Sequence, residues 1–507
     1  MLGKAYSAAV QGVDACEVIV EVNTATGIKP SVVVVGLPDA AVKESRDRVS
    51  TAVVNSGYRW CAGRATVNLA PADVRKEGPN FDLPIAVAQI AAEHGEAPPG
   101  LEDCYLIGEL ALDGSVRKVL GALPVALEAV RRGRRRVFVP AENAREAAFV
   151  EGVEVYGVRS LRETYEFLRG GEGAPPLRPV RVDAEKYFAA HQRFEVDFSE
   201  VRGQHHARRA MEIAAAGAHN VLLIGPPGSG KSMMAKRIPT IMPPLTLDEA
   251  LETTKIHSIA GHLDNGHGLV SVPPYFAPHA SISDAGLLGG SGQLTPGEIS
   301  LCHHGVLFLD ELPEFRRSAL EALRQPLEDG QITISRVAGT VTFPASFILV
   351  AAMNPCPCGY HGSLQRPCRC SPGQVERYRD KISGPLLDRI DLHVEVAAIR
   401  YEHLADQTPA EDSETIRARV VTARETQRAR AGRSNARLSP RAIKTHCQPD
   451  AEGAELLKMA TSELGLSARA YDRVLKVART VADLDSSPGI QAHHLAEAIG
   501  YRTLDRR

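Results

Sequence analysis

Gly225-Pro226-Pro227-Gly228-Ser229-Gly230-Lys231-Ser232 is the stretch that decides the fold of this 507-residue chain. It satisfies G-x-x-x-x-G-K-[ST] at every fixed position. In that pattern the glycines let successive backbone N–H groups wrap the phosphates of a nucleotide, at the positive end of the helix that follows. The neighbouring sequence supplies the required setting. The apolar run Val221-Leu-Leu-Ile leads in as a strand, and Met233-Met-Ala-Lys-Arg-Ile leads out as a helix. Lys231 is expected to reach the β- and γ-phosphates of ATP, and the Ser232 hydroxyl to bind Mg²⁺.

Further along, Leu307-Phe-Leu-Asp310-Glu311 puts two adjacent carboxylates at the tip of a second apolar run. Asp310 is expected to hold the Mg²⁺ shell, and Glu311 to orient and deprotonate the attacking water. Ala351-Ala-Met-Asn354 ends a third run in an amide, suited to placing that water or sensing the γ-phosphate. In sheet ATPases this tip lies between the two earlier ones. Leu386-Leu-Asp-Arg389-Ile-Asp391 offers an arginine that can reach a neighbouring subunit's γ-phosphate, with a salt bridge to Asp388 or Asp391 as the competing role. Arg469 opens a long helix from which it can touch nucleotide, with Arg473 as its rival.

These runs are short, continuous and apolar, as in strands buried on both faces of a parallel sheet. The fold class is α/β, in three parts. Residues 1–169 mix β-rich runs (Val18-Ile-Val-Glu-Val, Ser31-Val-Val-Val-Val, Ala65-Thr-Val-Asn-Leu) with helical ones (81–93, 121–132). Residues 170–194 open with Gly170-Gly-Glu-Gly-Ala-Pro-Pro and read as a linker. Residues 195–398 form the nucleotide-binding core, and 402–507, rich in Ala, Leu, Arg and Glu, a helical lid. With 44% apolar residues, 24% charged residues and a net charge of −2, the chain carries no global field for nucleic acid, so any such surface is a local patch. No basic head precedes an apolar run at the start, and no stretch is long and apolar enough to span a bilayer. Together with nine cysteines, an odd count, this leads us to expect a soluble protein of a reducing cytoplasm.

Four of those cysteines cluster as Cys356-Pro-Cys358 and Cys368-Arg-Cys370, a donor set for tetrahedral Zn²⁺, with free thiols, a redox pair or an incidental turn as alternatives. Two segments between the nucleotide elements are candidates to line a pore and meet DNA. One is the small-residue stretch from His279 to Gly292. The other is a hairpin, Gln331-Ile-Thr-Ile-Ser-Arg336-Val-Ala-Gly, with Arg336 and Val337 near its tip and Arg336 as the DNA-binding residue. Lid arginines from Arg417 to Arg441, interspersed with Glu414 and Glu425, read as a solvated helix face or a phosphate-binding stripe.

These residues, with Gly203-Gln-His-His-Ala-Arg-Arg-Ala, Phe308-Leu-Asp-Glu-Leu-Pro-Glu-Phe, Ala352-Met-Asn-Pro-Cys-Pro-Cys-Gly and Ala478-Arg-Thr-Val-Ala-Asp-Leu, resemble the YifB/ComM family of magnesium-chelatase-like AAA+ proteins over nearly the whole chain. The resemblance implies a AAA+ P-loop core and a homo-hexameric ring. It also implies a motor on single-stranded and branched DNA that promotes branch migration beside recombination proteins when imported DNA recombines. A ring that threads protein, with the N-terminal region as adaptor, is the alternative. So is an ATPase switch that assembles on partners without translocating. The N-terminal region looks like the S5-like proteolytic domain of Lon through Arg75-Lys-Glu-Gly-Pro-Asn80-Phe-Asp-Leu-Pro and Ile107-Gly-Glu-Leu-Ala-Leu-Asp-Gly-Ser-Val. Asn80 stands where that protease carries its serine, and an apolar residue near Leu123 where it carries its lysine. An amide cannot serve as the nucleophile, so the domain is expected to be a scaffold, with Lys118 as a substitute base that has no evident partner.

Overall fold

The computed structural model of the chain describes residues 1–25, 31–170, 176–263, 268–290, 294–336, 339–363, 366–398, 410–502 and 504. These fall into two compact units: Met1–His191 with Leu247–Ser271, and Gln192–Thr246 with Val272–Arg507. The helix Leu247–Ala260 and the residues up to Ser271, which the sequence division places in the nucleotide-binding core, thus pack with the N-terminal region, while core and lid share the second unit.

In the first unit, β1 (Leu2–Gln11), β2 (Asp14–Ala25), β3 (Ser31–Val35) and β4 (Arg64–Ala70) form a sheet in the order β1-β2-β4-β3. All neighbours are antiparallel except β3 and β4, which run parallel. Val18, Val20 and Val22 alternate inward along β2 and are fully buried, the period-2 pattern of a strand with one face on a core. The helix Asp82–His94, apolar on most of its surface, covers that face. Then β5 (Cys104–Leu106), the short pair β6 (Glu109–Leu110) and β7 (Val116–Arg117), β8 (Arg136–Pro140) and β9 (Glu154–Val158) complete the unit. β5, β8 and β9 form a parallel sheet with the helix Ala122–Arg131 in its core cluster.

In the second unit, β10 (Val221–Ile224), β11 (Tyr275–Phe276) and β12 (Val306–Leu309) are followed by the hairpin strands β13 (Gln331–Arg336) and β14 (Gly339–Pro344). β15 (Ile348–Met353) and β16 (Leu392–Glu395) come last. Five of these make one all-parallel sheet, β11-β12-β15-β10-β16. β10, β12 and β15 are buried along their whole length, so polar residues occur only at their tips. This is an α/β P-loop core. It continues into a helical region with helices Ser413–Ala431, Pro440–His446, Ala451–Leu464, Ala468–Leu484 and Ala492–Gly500, whose apolar faces join the same hydrophobic core as the sheet.

Candidate nucleotide site

Because the five strands run parallel, Gly225 after β10, Asp310 after β12 and Asn354 after β15 emerge at one edge of the sheet. That is the carboxyl edge, where open α/β sheets bind ligands. β15 lies between β10 and β12, which centres Asn354 between the phosphate loop and the acidic pair, as the sequence expects. Gly225 can only be glycine here, since a Cβ on it would stand 2.2 Å from the Val396 carbonyl oxygen. The helix Lys231–Ile241 starts where the loop closes, with its first-turn amides facing the phosphate position.

Lys231 lies in the loop it is meant to serve. Its Nζ donates to the carbonyls of Gly225 at 2.7 Å and Pro226 at 2.9 Å, and to Asn354 Oδ1 at 3.4 Å. Burial pushes its pKa below the ordinary lysine value, while Asp310 and Glu311 pull the other way and favour the ammonium form. The Ser232 hydroxyl donates to Asp310 Oδ2 at 2.6 Å, and the Glu311 amide to Asp310 Oδ1 at 2.9 Å. The two side chains expected to share a Mg²⁺ ion are therefore already adjacent, both oxygen donors of the hard type that Mg²⁺ takes. Glu311 sits exposed in the left-handed region, at φ 51°, an uncommon conformation for a residue with a side chain and one that turns its carboxylate out of the strand line.

Arg389 and Arg469 lie elsewhere. Arg389 precedes β16, whose first residue pairs with Val221 at the start of β10. The Arg389 carbonyl accepts from Asn220 Nδ2 at 3.0 Å. It is thus on the amino edge of the sheet, about 13 Å of strand from the phosphate loop of its own chain. Its guanidinium pairs with Glu328, and not with Asp388 or Asp391 as the sequence suggests, and also donates to the Pro385 carbonyl at 2.8 Å. Asp391 is committed to Arg473, to the Asn220 amide at 3.1 Å and to His219 Nδ1 at 3.3 Å, an arrangement that keeps its carboxyl well below the usual range despite full burial. Arg469 and Arg473 line a cavity of about 350 Å³ together with Glu328, Arg389 and Asn220. The sequence offers Arg469 as a nucleotide contact without saying which chain's nucleotide it meets. The lid helix Ala468–Leu484 delivers it to the opposite edge, beside Arg389.

Tertiary contacts add two residues to the loop that sequence reasoning missed. Gln204 Nε2 bridges the Ala397 carbonyl at 2.6 Å and the Ser229 carbonyl at 3.4 Å. Gly359, in the cysteine segment, packs so closely that a Cβ would stand 2.6 Å from Pro227 Cδ. No motif assigns either a role, although both belong to stretches quoted above for the family likeness. In the cysteine segment, Cys356, Cys358 and Cys368 have Sγ atoms 3.4, 3.6 and 3.7 Å apart, and all four sulfurs lie within 4.8 Å of one another. A tetrahedron with Zn–S bonds of about 2.3 Å has edges of roughly 3.8 Å, so the donor set fits zinc.

The hairpin forms as expected, with Arg336 paired to Gly339 in the last pair of its ladder, at the end away from Gln331 and Pro344. Arg336 Nε donates to the Gly290 carbonyl at 3.3 Å, which brings together the two segments proposed to line a pore. Val337 and residues 291–293 lie outside the described residues. The lid's arginine run is largely structural: Arg419 pairs with Glu212 and Glu411, Arg424 caps the carbonyls of Ala215 and Ala216, and Arg430 pairs with buried Asp483. In the first unit, Asn80 Nδ2 donates to the Leu120 carbonyl at 3.2 Å, Leu123 is buried, and Lys118 Nζ donates to the Leu263 carbonyl at 3.2 Å.

Comparison with known proteins gives three separate family-model matches along the chain. Residues 197–404 match the family model described as magnesium chelatase, subunit ChlI; residues 20–143 match subunit ChlI of Mg-chelatase; and residues 410–502 match the ChlI C-terminal model. The chain is 43% identical to the competence protein ComM of Haemophilus influenzae, covering 99% of this chain and 97% of that one. It is 44% identical to the uncharacterized protein YifB of Escherichia coli K12 over the same shares. The chain belongs to the YifB/ComM family of magnesium-chelatase-like AAA+ proteins. Beyond the YifB/ComM family, the DNA repair protein RadA of Bacillus subtilis is 35% identical over 98 residues, 19% of this chain and 21% of that one. Among the described residues, no helix is long and apolar enough to cross a membrane.

Proposed function

We propose that this YifB/ComM-family protein is a Mg²⁺-dependent ATPase that works as a ring of identical chains and moves DNA, promoting branch migration during recombination in the cytoplasm. What carries the ATPase reading is the meeting of Lys231, Ser232, Asp310 and Asn354 at the carboxyl edge of the sheet. Ser232 and Asp310 hold Mg²⁺, which neutralises phosphate charge when bound. Lys231 and the loop amides bind the phosphates, Asn354 fixes the γ-phosphate end, and Glu311 takes a proton from the attacking water. The opposite position of Arg389 supports assembly: an arginine that cannot reach its own phosphate loop serves a neighbour's, and Arg469 accompanies it. DNA as the substrate is supported by the names of two relatives, competence protein and DNA repair protein, and by the hairpin carrying Arg336.

The four cysteines hold a structural Zn²⁺ that stiffens the segment on which Gly359 braces Pro227. Metal analysis of purified protein is expected to find roughly one zinc per chain, and much less would sink this assignment. The N-terminal unit acts as a non-proteolytic scaffold. The deciding experiment measures ATPase activity with single-stranded, duplex and four-way-junction DNA, with Lys231→Ala as control. Stimulation by DNA that disappears in the variant is expected. Activity indifferent to every DNA would move the reading to a ring that remodels protein.

A further inference from the structure

The hairpin that carries Arg336 and the counter-ion of Arg389 are built on one short piece of chain. Glu328 belongs to the helix Arg324–Asp329; Gly330 follows, and β13 begins at Gln331. Gly330 ties both ends of the hairpin to that helix. Its amide donates to the Pro326 carbonyl at 2.9 Å, and its carbonyl accepts from the Ala345 amide at 2.8 Å, just past the end of β14. A displacement of the hairpin therefore carries Glu328 with it.

Glu328 is placed to control Arg389. The Arg389 side chain is only 11% exposed, whereas the Glu328 side chain is 56% exposed and reaches in from the cavity rim. Arg469 and Arg473 face the same carboxylate and add to the positive field that lowers its pKa after Arg389 itself. Asp391, the nearby buried acid, is already committed to Arg473 and His219. Glu328 thus sits where three arginines converge, at the rim of a cavity that Asp391 and Asp472 also line. A γ-phosphate presented by a second chain offers more charge and more acceptor oxygens to the same guanidinium. The exposed Glu328 partner is open to water and is readily exchanged for such a ligand.

We propose that Glu328 is a positioning residue that withholds Arg389 from the neighbouring chain's nucleotide until the hairpin β13–β14 engages DNA. The proposal rests on Arg389 acting in trans, as set out above. Engagement shifts the hairpin, draws Glu328 off Arg389, and frees the guanidinium to contact the γ-phosphate.

The test uses the full-length protein, comparing Glu328→Gln, Glu328→Asp and Arg389→Ala for ATPase kcat and KM with and without single-stranded DNA, alongside thermal melting. Glu328→Gln is expected to raise the DNA-free kcat several-fold towards the stimulated value, leave the stimulated kcat within about twofold, and leave KM little changed. Glu328→Asp keeps the charge but withdraws it by one methylene, and is expected to fall between parent and Glu328→Gln. It also serves if Glu328→Gln melts early. A purely structural role would lower kcat with and without DNA alike. An unchanged or lower DNA-free kcat in both folded variants overturns the proposal, as does an undiminished stimulation factor in Glu328→Gln. Arg389→Ala separates the two levels. If it retains full ATPase, the trans reading fails; if it loses activity while Glu328→Gln behaves as parent, only the latch fails.

Discussion

Ser232 Oγ donates to Asp310 Oδ2 at 2.6 Å, although the two residues belong to different strand–helix connections. The sheet order puts β15 between their strands, and the helix Lys231–Ile241 swings Ser232 across that gap. The contact sets the two Mg²⁺ ligands before nucleotide arrives, so little reorganisation is left to binding.

Replacing these groups separates binding from chemistry. Ser232→Ala and Asp310→Asn are each expected to lower kcat by about 100-fold or more, with weakened Mg²⁺ dependence. Glu311→Gln is expected to lower kcat by at least about 100-fold while ATP affinity stays close to that of the parent, because the water-activating carboxylate is not needed for binding. Fluorescent-nucleotide titration beside steady-state ATPase reads both. Full turnover by Glu311→Gln would remove it from the proposed role.

Gly359→Val reaches the nucleotide only through Pro227. A Cβ at residue 359 would collide with the proline ring at 2.6 Å, at a backbone φ of +83° that also disfavours any side chain. The expected outcome is a several-fold increase in KM for ATP with zinc content unchanged, measured on the same preparation. An unaltered KM would show that the cysteine segment does not brace the loop.

Cys358→Ser breaks the sulfur tetrahedron at a ligand accessible from solvent. It is expected to lower zinc content well below that of the parent and to reduce Tm by at least about 5 °C. Equal metal content and equal Tm would mean that these thiols bind nothing structural.

Arg336→Ala is expected to weaken DNA binding without changing sequence preference, and to reduce the slope of log K against log salt by about one. The same substitution should leave DNA-free ATPase within about twofold of the parent. Fluorescence anisotropy at several salt concentrations checks the slope. Because Arg419, Arg424 and Arg430 are tied into the second unit, their alanine variants are expected to lower Tm and leave the salt slope intact.

His393, on β16, carries a pH dependence. Burial and the nearby Arg502 push its pKa down to about 3, against the pull of Asp391. An unfolded histidine titrates near 6.5. Between these values the unfolded chain binds a proton that the folded one does not, so stability falls as pH drops below about 6.5. Tm measured from pH 7.5 to 5 is expected to fall, and His393→Gln to flatten the profile. A profile of equal slope in the variant would show that other groups carry the dependence.

Much of this was legible from local pattern. The phosphate loop needs its glycines, lysine and serine at fixed spacing, so Gly225 to Ser232 names its own chemistry, and the buried strands announce themselves as unbroken apolar runs ending in Asp310 and Asn354. The four cysteines likewise declare a shared centre by proximity in the chain. That the three tips share one edge was also implied, since a parallel sheet places all its carboxyl tips on one edge.

What the sequence by itself determined, then, are the groups whose partners are near in the chain or dictated by a repeating backbone geometry. Only the tertiary structure decided which edge of the sheet each arginine occupies. Arg389 and Arg469 are 80 residues apart in the chain, yet converge because the lid helix packs against the helix His205–Gly217 that leads into β10. The same applies to Glu328 as the partner of Arg389, to Gln204 and Gly359 against the phosphate loop, and to the inward pairing of the lid arginines. An ion pair or a close packing contact depends on where distant segments meet, and neither residue type nor spacing carries that information.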